Sequence, residues 1–488
     1  MKLKALVKDR NATGLEIAGD IEIKGLSADS RRVGPGFLFA ALPGSSTDGA
    51  KFAADAAARG AVAILTPKGA IASSEIPIVE VDDARLGLAL AAAAFYARQP
   101  KCIAAVTGTN GKSSTVDFLR QIWAFGGKSA ASMGTLGAIG PFGAVDLGHT
   151  TPDPVAIHAT LARLFDEGVT HAAMEASSHG LDQRRLDGVE LSAAAFTNLT
   201  QDHLDYHHDL DTYAAAKMRL FTELLPRGAP AIINADAAEA PRFEAAAQAA
   251  GLNLLTCGWR GSYLKIGEIA PKPAAQKLDL RWKGRDIAVD LPLIGEFQAI
   301  NAVAAAALAL ALGDEEGRVF GAMRTLKPVR GRMEQVGATK DGAHVFVDYA
   351  HTPDGLDVLL RAARPHAPGR VILVFGCGGD RDAGKRPKMG AIGAQHADIV
   401  IVTDDNPRSE DPAEIRRQVI VGCPGAEEIG DRGEAIRSAV NRLQPGDALM
   451  IAGKGHETGQ IIKGVTHKFS DQDTALEALI AIGGKGIA

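Results

Sequence analysis

The segment Thr107-Gly-Thr-Asn-Gly-Lys-Ser-Ser114 gathers two glycines, a lysine and several hydroxyls into one short turn. An apolar run precedes it (102–106), and a helical pattern of Val116, Phe118, Leu119 and Ile122 follows. Strand, Gly-rich loop and helix are the parts of a mononucleotide site. Such a turn brings backbone N–H groups onto phosphate oxygens, and the helix N-terminus adds positive potential. Lys112 would sit by the β- and γ-phosphates, and the Ser113 hydroxyl would ligate Mg²⁺. Gly108, Thr109, Asn110, Gly111, Lys112, Ser113 and Ser114 are therefore the ATP-binding candidates. Val106 stands where the full GxxxxGKS/T pattern has its first glycine, and a merely structural turn is the bland alternative. The loop by itself leaves kinase, motor, switch and ligase open.

Further segments carry chemistry. They are Thr150-Thr151-Pro152-Asp153, Met174-Glu-Ala-Ser-Ser-His-Gly180, Asp202-His203-Leu204-Asp205-Tyr206-His207 and Tyr213-Ala-Ala-Ala-Lys-Met-Arg-Leu-Phe221. Downstream lie Asn301, Gly331-Arg332-Met333-Glu334 and Asp348-Tyr-Ala-His-Thr-Pro-Asp354. Taken in this order, TGTNGKS, MEASSHG, DHLDYH, AAAKMRLF, GRME and DYAHTPD resemble the Mur ligase family. They span most of the chain, and several together are specific where one alone is not. The resemblance implies an α/β protein of three domains: a small N-terminal α/β domain that binds UDP (1–99), a central P-loop mononucleotide-binding ATPase domain with a parallel sheet (100–328), and a C-terminal Rossmann-like domain that brings the incoming amino acid (329–488).

The chemistry of such a ligase is demanding. A carboxylate is a poor electrophile, and phosphorylation turns it into an acyl phosphate with a good leaving group. The amine then attacks, and phosphate departs from a tetrahedral intermediate. Carboxylate and γ-phosphate repel each other, so cations must bridge them, and two Mg²⁺ ions are the expected device. Glu175 ends an apolar run, where a strand would deliver it beside the loop; with Ser113 it could hold the first ion. A helix-capping acid is the alternative for Glu175. The family pattern points to His203 on the second ion; a zinc site is the rival, but no cysteine lies near and the surrounding acids suit a harder ion. Lys217 would read alone as a helix-surface lysine. The resemblance implies that CO₂ carbamylates it into an anionic oxygen ligand, so that Lys112, Glu175, His203 and Lys217 form the catalytic set.

Resemblance also assigns ATP contacts to Asn301, Arg332 and Asp348. The UDP-linked dipeptide substrate falls to Ser30, Ser45, Ser46, Thr47, Thr150, Thr151, Ser177, Gln183 and Arg185, with Arg185 as carboxylate clamp. Family members differ in the amino acid added. Asp404-Asp405-Asn406-Pro407-Arg408 resembles the signature of members that add meso-diaminopimelate as third residue of the cell-wall stem peptide. Diaminopimelate carries a second α-amino-carboxylate that lysine lacks, and Arg408 and Arg386 can grip carboxylates through paired N–H donors. Asp405, Asn406, Pro407, Gly453 and Glu457 complete that site, with Glu457 for the distal ammonium. An Asn-Pro turn with a solvated arginine is the alternative. Expected substrates are therefore UDP-N-acetylmuramoyl-L-alanyl-D-glutamate, meso-diaminopimelate and ATP. A lysine-adding relative, a folylpolyglutamate synthase-like ligase and a P-loop regulatory ATPase are the rivals.

These residues need a scaffold. β-like runs at 37–39, 61–65 and 78–81 and a helix at 85–97 precede Pro100, a candidate boundary. Runs at 172–175, 193–198 and 231–234 alternate with helical stretches, the pattern of a parallel sheet. After a second candidate boundary near Pro328 the alternation restarts at 345–348, 371–375, 399–403 and 448–452, suggesting a doubly wound domain. The 488 residues, 46% of them hydrophobic and 23% charged, can bury ample core. A net charge of −5 and 5% aromatics argue against a nucleic-acid partner. Cys102, Cys257, Cys377 and Cys423 lie far apart, which fits a reduced compartment. The N-terminus lacks the apolar core of a signal peptide, and the longest apolar run (302–312) falls well short of the ~20 residues a membrane span needs. A monomeric, cytoplasmic protein without membrane insertion is expected.

Overall fold

A computed structural model describes residues 1–486 apart from 8, 10, 45–47 and 201–203, with Ile17, Leu204 and Asp205 as backbone only. The chain divides into two units, Met1–Cys257 with Ala307–Glu315 and Gly258–Ala306 with Glu316–Ala488. Both are mixed α/β with parallel sheets.

In the first unit β1 (Gly25–Ser27), β2 (Phe37–Ala40), β3 (Ala61–Pro67) and β4 (Ile78–Val81) form an all-parallel sheet in sequence order. The helix Ala84–Tyr96 begins at Asp83, whose carboxylate accepts from the N–H groups of Arg85 and Leu86. It buries Leu88, Ala91 and Ala92 against Leu38, Ala40, Leu65 and Val79.

A second sheet in this unit contains β5 (Cys102–Thr107), β6 (Ala130–Gly134), β7 (Gly137–Gly140), β8 (Gly143–Val145), β9 (His171–Glu175), β10 (Ala193–Phe196), β11 (Pro230–Asn234) and β12 (Asn253–Gly258), in the order β12-β11-β10-β5-β9-β6-β7-β8. The strands from β12 to β6 are parallel, and β7 and β8 add antiparallel strands at the edge. Register sets the site. Val106 pairs with Glu175 and Thr107 with Phe196, so β5, β9 and β10 end together. Ligands bind such sheets at the carboxyl ends of the strands. After β5 comes the helix Lys112–Phe125, which buries Val116, Phe118, Leu119, Ile122 and Trp123.

In the second unit β13 (Leu264–Lys272), β14 (Ala275–Trp282) and β15 (Arg285–Leu291) form an antiparallel meander. A further sheet combines β16 (Glu334–Ala338), β17 (His344–Asp348), β18 (Val371–Phe375), β19 (Ile399–Val402), β20 (Glu427–Glu428), β21 (Ala448–Ala452) and, past the separate hairpin β22 (Gly459–Ile462) and β23 (Val465–Lys468), β24 (Lys485–Gly486). Its order is β20-β19-β18-β21-β17-β16-β24, parallel from β20 to β17.

Side chains alternate across this sheet. Phe346, Leu373, Phe375 and Met450 pack on one face with Leu356, Leu359, Leu360 and Met389 from helices. Val347, Ile372, Val374, Leu449 and Ile451 pack on the other with Ile436, Val440, Ala475 and Leu479. Helices on both faces are the doubly wound arrangement that the strand–helix alternation suggests. The expected strands are present with ends shifted by a residue or two, whereas the pattern suggests neither the meander β13–β15 nor the hairpins β7–β8 and β22–β23. Among the described residues no helix is long and apolar enough to cross a membrane, and all four cysteines are free.

Candidate active site

The turn after β5 is built to cross β10 closely. Gly108 has φ +150°, and a Cβ there would lie 1.9 Å from Thr197 Oγ1. Thr197 Oγ1 donates to the carbonyl of Asn110 at 2.6 Å, and the N–H of Asn110 donates to Asn198 Oδ1 at 2.9 Å. Gly111 starts the helix in the left-handed region. Lys112 Nζ curls back onto the carbonyls of Gly108 and Thr109 at 2.9 and 2.8 Å, and Ser114 is buried. Lys112 thus lies over the turn, where phosphates bind in loops of this kind.

Glu175, only 2% exposed, comes off β9 beside this turn. Its Oε1 accepts from Ser113 Oγ and from the N–H of Thr135, both at 2.8 Å. Thr135 Oγ1 meets Thr150 Oγ1 at 2.9 Å. Gly134 is what admits the carboxylate: a Cβ there would stand 2.1 Å from Oε1. The result is a small cluster of hard oxygen donors against the phosphate loop, which fits Mg²⁺ rather than a softer ion. Among the described residues no three His, Cys, Asp or Glu side chains converge as a preformed metal cage.

Lys217 is not a surface residue. It is 1% exposed near the end of the helix Leu210–Arg219, which runs on into a π-helical turn Leu220–Leu224. Its Nζ donates to the carbonyl of Gly108 at 2.8 Å and lies 4.4 Å from the centroid of the Tyr213 ring. The Tyr213 hydroxyl in turn meets Thr109 Oγ1 at 3.2 Å. Three of the four sequence-derived catalytic residues, Lys112, Glu175 and Lys217, therefore gather around one turn. The fourth, His203, lies outside the described residues, as do Ser45, Ser46 and Thr47.

Thr151 is buried; its hydroxyl donates to the carbonyl of Glu175 and accepts from the N–H of Ser177. Arg185 Nη1 donates to the Thr151 carbonyl at 2.6 Å, and its Nε and Nη2 donate to Gln183 Oε1. Burial lowers the affinity of Arg185 for its proton, so the guanidinium gains from an anionic partner. Thr150, Thr151, Ser177, Gln183 and Arg185 thus form one continuous wall next to Glu175. Ser30 sits apart on the N-terminal sheet's side of the unit and hydrogen-bonds Asp55, whose carboxyl is held low by Ser30 and then by Arg59.

In the second unit Asp348 ends β17, buried, with its oxygens accepting from the N–H groups of Met333 and Ala350 at 2.7 Å. Burial pushes its carboxyl up, against the pull of Arg332. Arg332 lies 4.8 Å from the Tyr349 ring centroid, and its carbonyl accepts from Gln298, which neighbours Asn301.

The loop after β19 holds Asp405, Asn406, Pro407 and Arg408. Arg408 adopts φ +51°, donates its N–H to Ile461 and accepts from the N–H of Lys463, and its Nη1 reaches the Gly379 carbonyl at 2.7 Å. Arg386, 1% exposed, is held by Glu410, Gln418 and the Gly378 carbonyl. Gly453 follows β21, its N–H on the Asp348 carbonyl, and Asn406 Nδ2 donates to Glu457 Oε2 at 2.9 Å. Asp405 is pushed up by burial and drawn down by Arg432 and Lys454. Thr135, Gly134 and Lys454 are the supporting residues that motif reasoning does not pick out, while Tyr213 opens the segment 213–221 named above. Lys454 sits inside the Gly453–Glu457 segment and had a signal; Thr135 had none.

Family models match across the chain: the Mur ligase family catalytic domain over 22–96, the Mur ligase middle domain over 106–309 and the Mur ligase glutamate ligase domain over 331–455. The chain is 53% identical over 482 residues to a UDP-N-acetylmuramoyl-L-alanyl-D-glutamate–2,6-diaminopimelate ligase of Brucella melitensis, covering 99% of each. It is also 53% identical over 468 residues to the ligase of that name from Caulobacter vibrioides, covering 95% of this chain and 96% of the other. A solved structure of a ligase of the same name superposes with TM-score 0.73 at 35% identity, covering 94% of this chain and 95% of the other. A folylpolyglutamate synthase of Mycobacterium tuberculosis bound to ADP or AMPPCP shares the fold at TM-score 0.60 and 19% identity, over 76% of this chain and 92% of the other.

Proposed function

The chain belongs to the Mur ligase family, and on that footing we propose that it joins meso-diaminopimelate to the glutamyl carboxylate of UDP-N-acetylmuramoyl-L-alanyl-D-glutamate, converting ATP to ADP and phosphate. It is an ATP-dependent amide ligase of peptidoglycan precursor synthesis. We take it to work as a cytoplasmic monomer. The convergence of the phosphate loop, Glu175 and Lys217 at the carboxyl ends of β5, β9 and β10 is the observation that supports the reading most.

Each residue then has a task. The backbone of Gly108–Lys112 and the helix N-terminus hold the triphosphate, and Lys112 neutralises its β/γ end. Ser113 and Glu175 would hold one Mg²⁺, and carbamylated Lys217 with His203 a second. Bound there, the ions supply charge neutralisation between γ-phosphate and carboxylate. Carbamylation joins the neutral Lys217 amine to CO₂, forms an N–C bond and releases a proton. This step consumes the neutral amine, and Lys217 stands buried against the Gly108 carbonyl. Arg185 clamps the muramoyl dipeptide beside Glu175, with Thr150, Thr151, Ser177 and Gln183, while Ser30, Ser45, Ser46 and Thr47 take the uridine diphosphate.

The glutamyl carboxylate attacks the γ-phosphorus, and the acyl phosphate forms as ADP leaves. The amine of diaminopimelate then attacks the acyl carbon, and phosphate leaves from the tetrahedral intermediate. Arg408, backed by Arg386, takes the distal carboxylate of diaminopimelate, and Glu457 its ammonium; Asp405, Asn406, Pro407 and Gly453 shape that site. Asn301, Arg332 and Asp348 are assigned to the nucleotide. The test is to incubate the protein with ATP, Mg²⁺ and the UDP-muramoyl dipeptide and compare amino acids by product mass. A product with meso-diaminopimelate is expected, and L-lysine should be a poor substrate. Equal rates with both would refute the assignment, and ATP hydrolysis indifferent to both substrates would point to a regulatory ATPase.

A further inference from the structure

The segment after β21 contains a lysine with no role so far. Lys454 is 0% exposed, in a chain whose other lysines lie mostly at the surface. Its ammonium donates to Asn406 Oδ1 at 3.0 Å and to Glu457 Oε2 at 3.1 Å. Asn406 Oδ1 takes a second bond from the N–H of Ile461 at 2.9 Å, while its Nδ2 donates to the same Glu457 Oε2 at 2.9 Å. These contacts fix the orientation of the Asn406 amide, because an ammonium and a backbone N–H can only donate. They also use one carboxylate oxygen of Glu457 and leave the other. No described residue hydrogen-bonds Glu457 Oε1, and the side chain is one-third exposed.

Burying an ammonium is costly unless its partners are charged and well placed. Here they are Glu457 and, more distantly, Asp405, whose carboxyl is pushed up by burial against the pull of Arg432 and then of Lys454. Arg432 is itself committed to Asp471 through two bonds of 2.7 Å. Lys454 is therefore the cation that keeps Asn406 and Glu457 in register.

We propose that Lys454 is a positioning residue for the amine substrate: it locks Asn406 and Glu457 Oε2 so that Glu457 Oε1 faces the distal ammonium of a diamino acid. The proposal rests on the amino-acid site assigned above. It separates two duties within that site. Lys454 acts through the ammonium, which diaminopimelate and lysine share, so its loss weakens both alike. Arg408 acts on the carboxylate that only diaminopimelate has.

The experiment is steady-state kinetics of Lys454→Met, Lys454→Gln, Glu457→Gln and the Lys454→Met/Glu457→Gln double variant. Each substrate is varied in turn, with diaminopimelate and lysine compared. Losing a hydrogen bond to a charged group should raise the amino-acid KM by roughly 10- to 100-fold. The KM for ATP and kcat should change little, and the preference for diaminopimelate over lysine should hold. The double variant should be no worse than the worse single one, since both act through one carboxylate. Should Lys454→Met fail to fold, Lys454→Gln, which keeps a donor for Asn406, carries the same test. If Glu457→Gln raises the amino-acid KM and the Lys454 variants do not, or if they impair every substrate equally, the positioning role is wrong. If Glu457→Gln leaves the amino-acid KM unchanged, the assigned site is wrong, and the role of Lys454 with it.

Discussion

Gly134→Ala should disable the enzyme without touching any substrate. The new Cβ would lie 2.1 Å from Glu175 Oε1, 2.5 Å from Cδ and 2.6 Å from Cγ, so the carboxylate has to leave. Two bonds to Oε1 go with it, from Ser113 Oγ and from the Thr135 N–H, each 2.8 Å, and a longer one of 3.4 Å from Thr135 Oγ1 to Oε2. Hydrogen bonds to a charged group contribute about 1.5–3 kcal/mol each, and partial relaxation should bring the combined loss to about 2–4 kcal/mol. Removing a preorganised charge from a phosphoryl-transfer site should cut kcat by about 10²- to 10³-fold. The assays are thermal unfolding and phosphate release with all three substrates present. Gly134→Ala/Glu175→Ala supplies the control, because truncating the glutamate to its Cβ leaves room for the new methyl. Stability should recover beyond additivity while activity stays lost. Full activity in Gly134→Ala, or a double variant that is simply the sum of its parts, would refute the reasoning.

Other outcomes follow from the same geometry. Arg408→Ala should lower kcat/KM for diaminopimelate by ~100-fold or more while sparing lysine, narrowing the discrimination measured in competition. Lys217→Ala should be inactive at any bicarbonate concentration, and the native protein should lose activity when CO₂ is stripped; retention of activity in the variant at low bicarbonate rules out the carbamate. His158 is buried, and burial holds its pKa at about 4 against 6.5 when free. The unfolded chain therefore takes up this proton first, so stability should fall as pH drops from 6.5 toward 4, by on the order of 3 kcal/mol from this residue. Denaturant melts of the native protein and of His158→Gln across that range should show the variant with the shallower slope.

The phosphate loop was legible because strand, glycines and helix lie together in sequence, and β5 with the helix Lys112–Phe125 forms as that pattern suggests. Glu175 was legible as the polar end of an apolar run, and register with β5 explains why it lands beside the loop. Thr135 was not, since its contact depends on where β6 ends beside β9 in space. Lys217 looks like a surface helical lysine, and only tertiary packing buries it under the turn. The meander β13–β15 carries a period-two signal in Leu278, Leu280 and Trp282, and two-residue turns at 273–274 and 283–284 pair its strands locally, yet the strand runs read from the sequence omit it. Arg386 reads as a free carboxylate grip, yet Glu410 and Gln418 already hold it.

The most direct measurement follows an oxygen atom. With oxygen-18 in the glutamyl carboxylate of the UDP-muramoyl dipeptide, turnover with ATP and meso-diaminopimelate should release inorganic phosphate carrying one labelled oxygen, because the acyl phosphate passes that atom to phosphorus. Amide product formed alongside unlabelled phosphate would contradict the carboxylate-activation route on which the roles of Ser113, Glu175 and Lys217 depend.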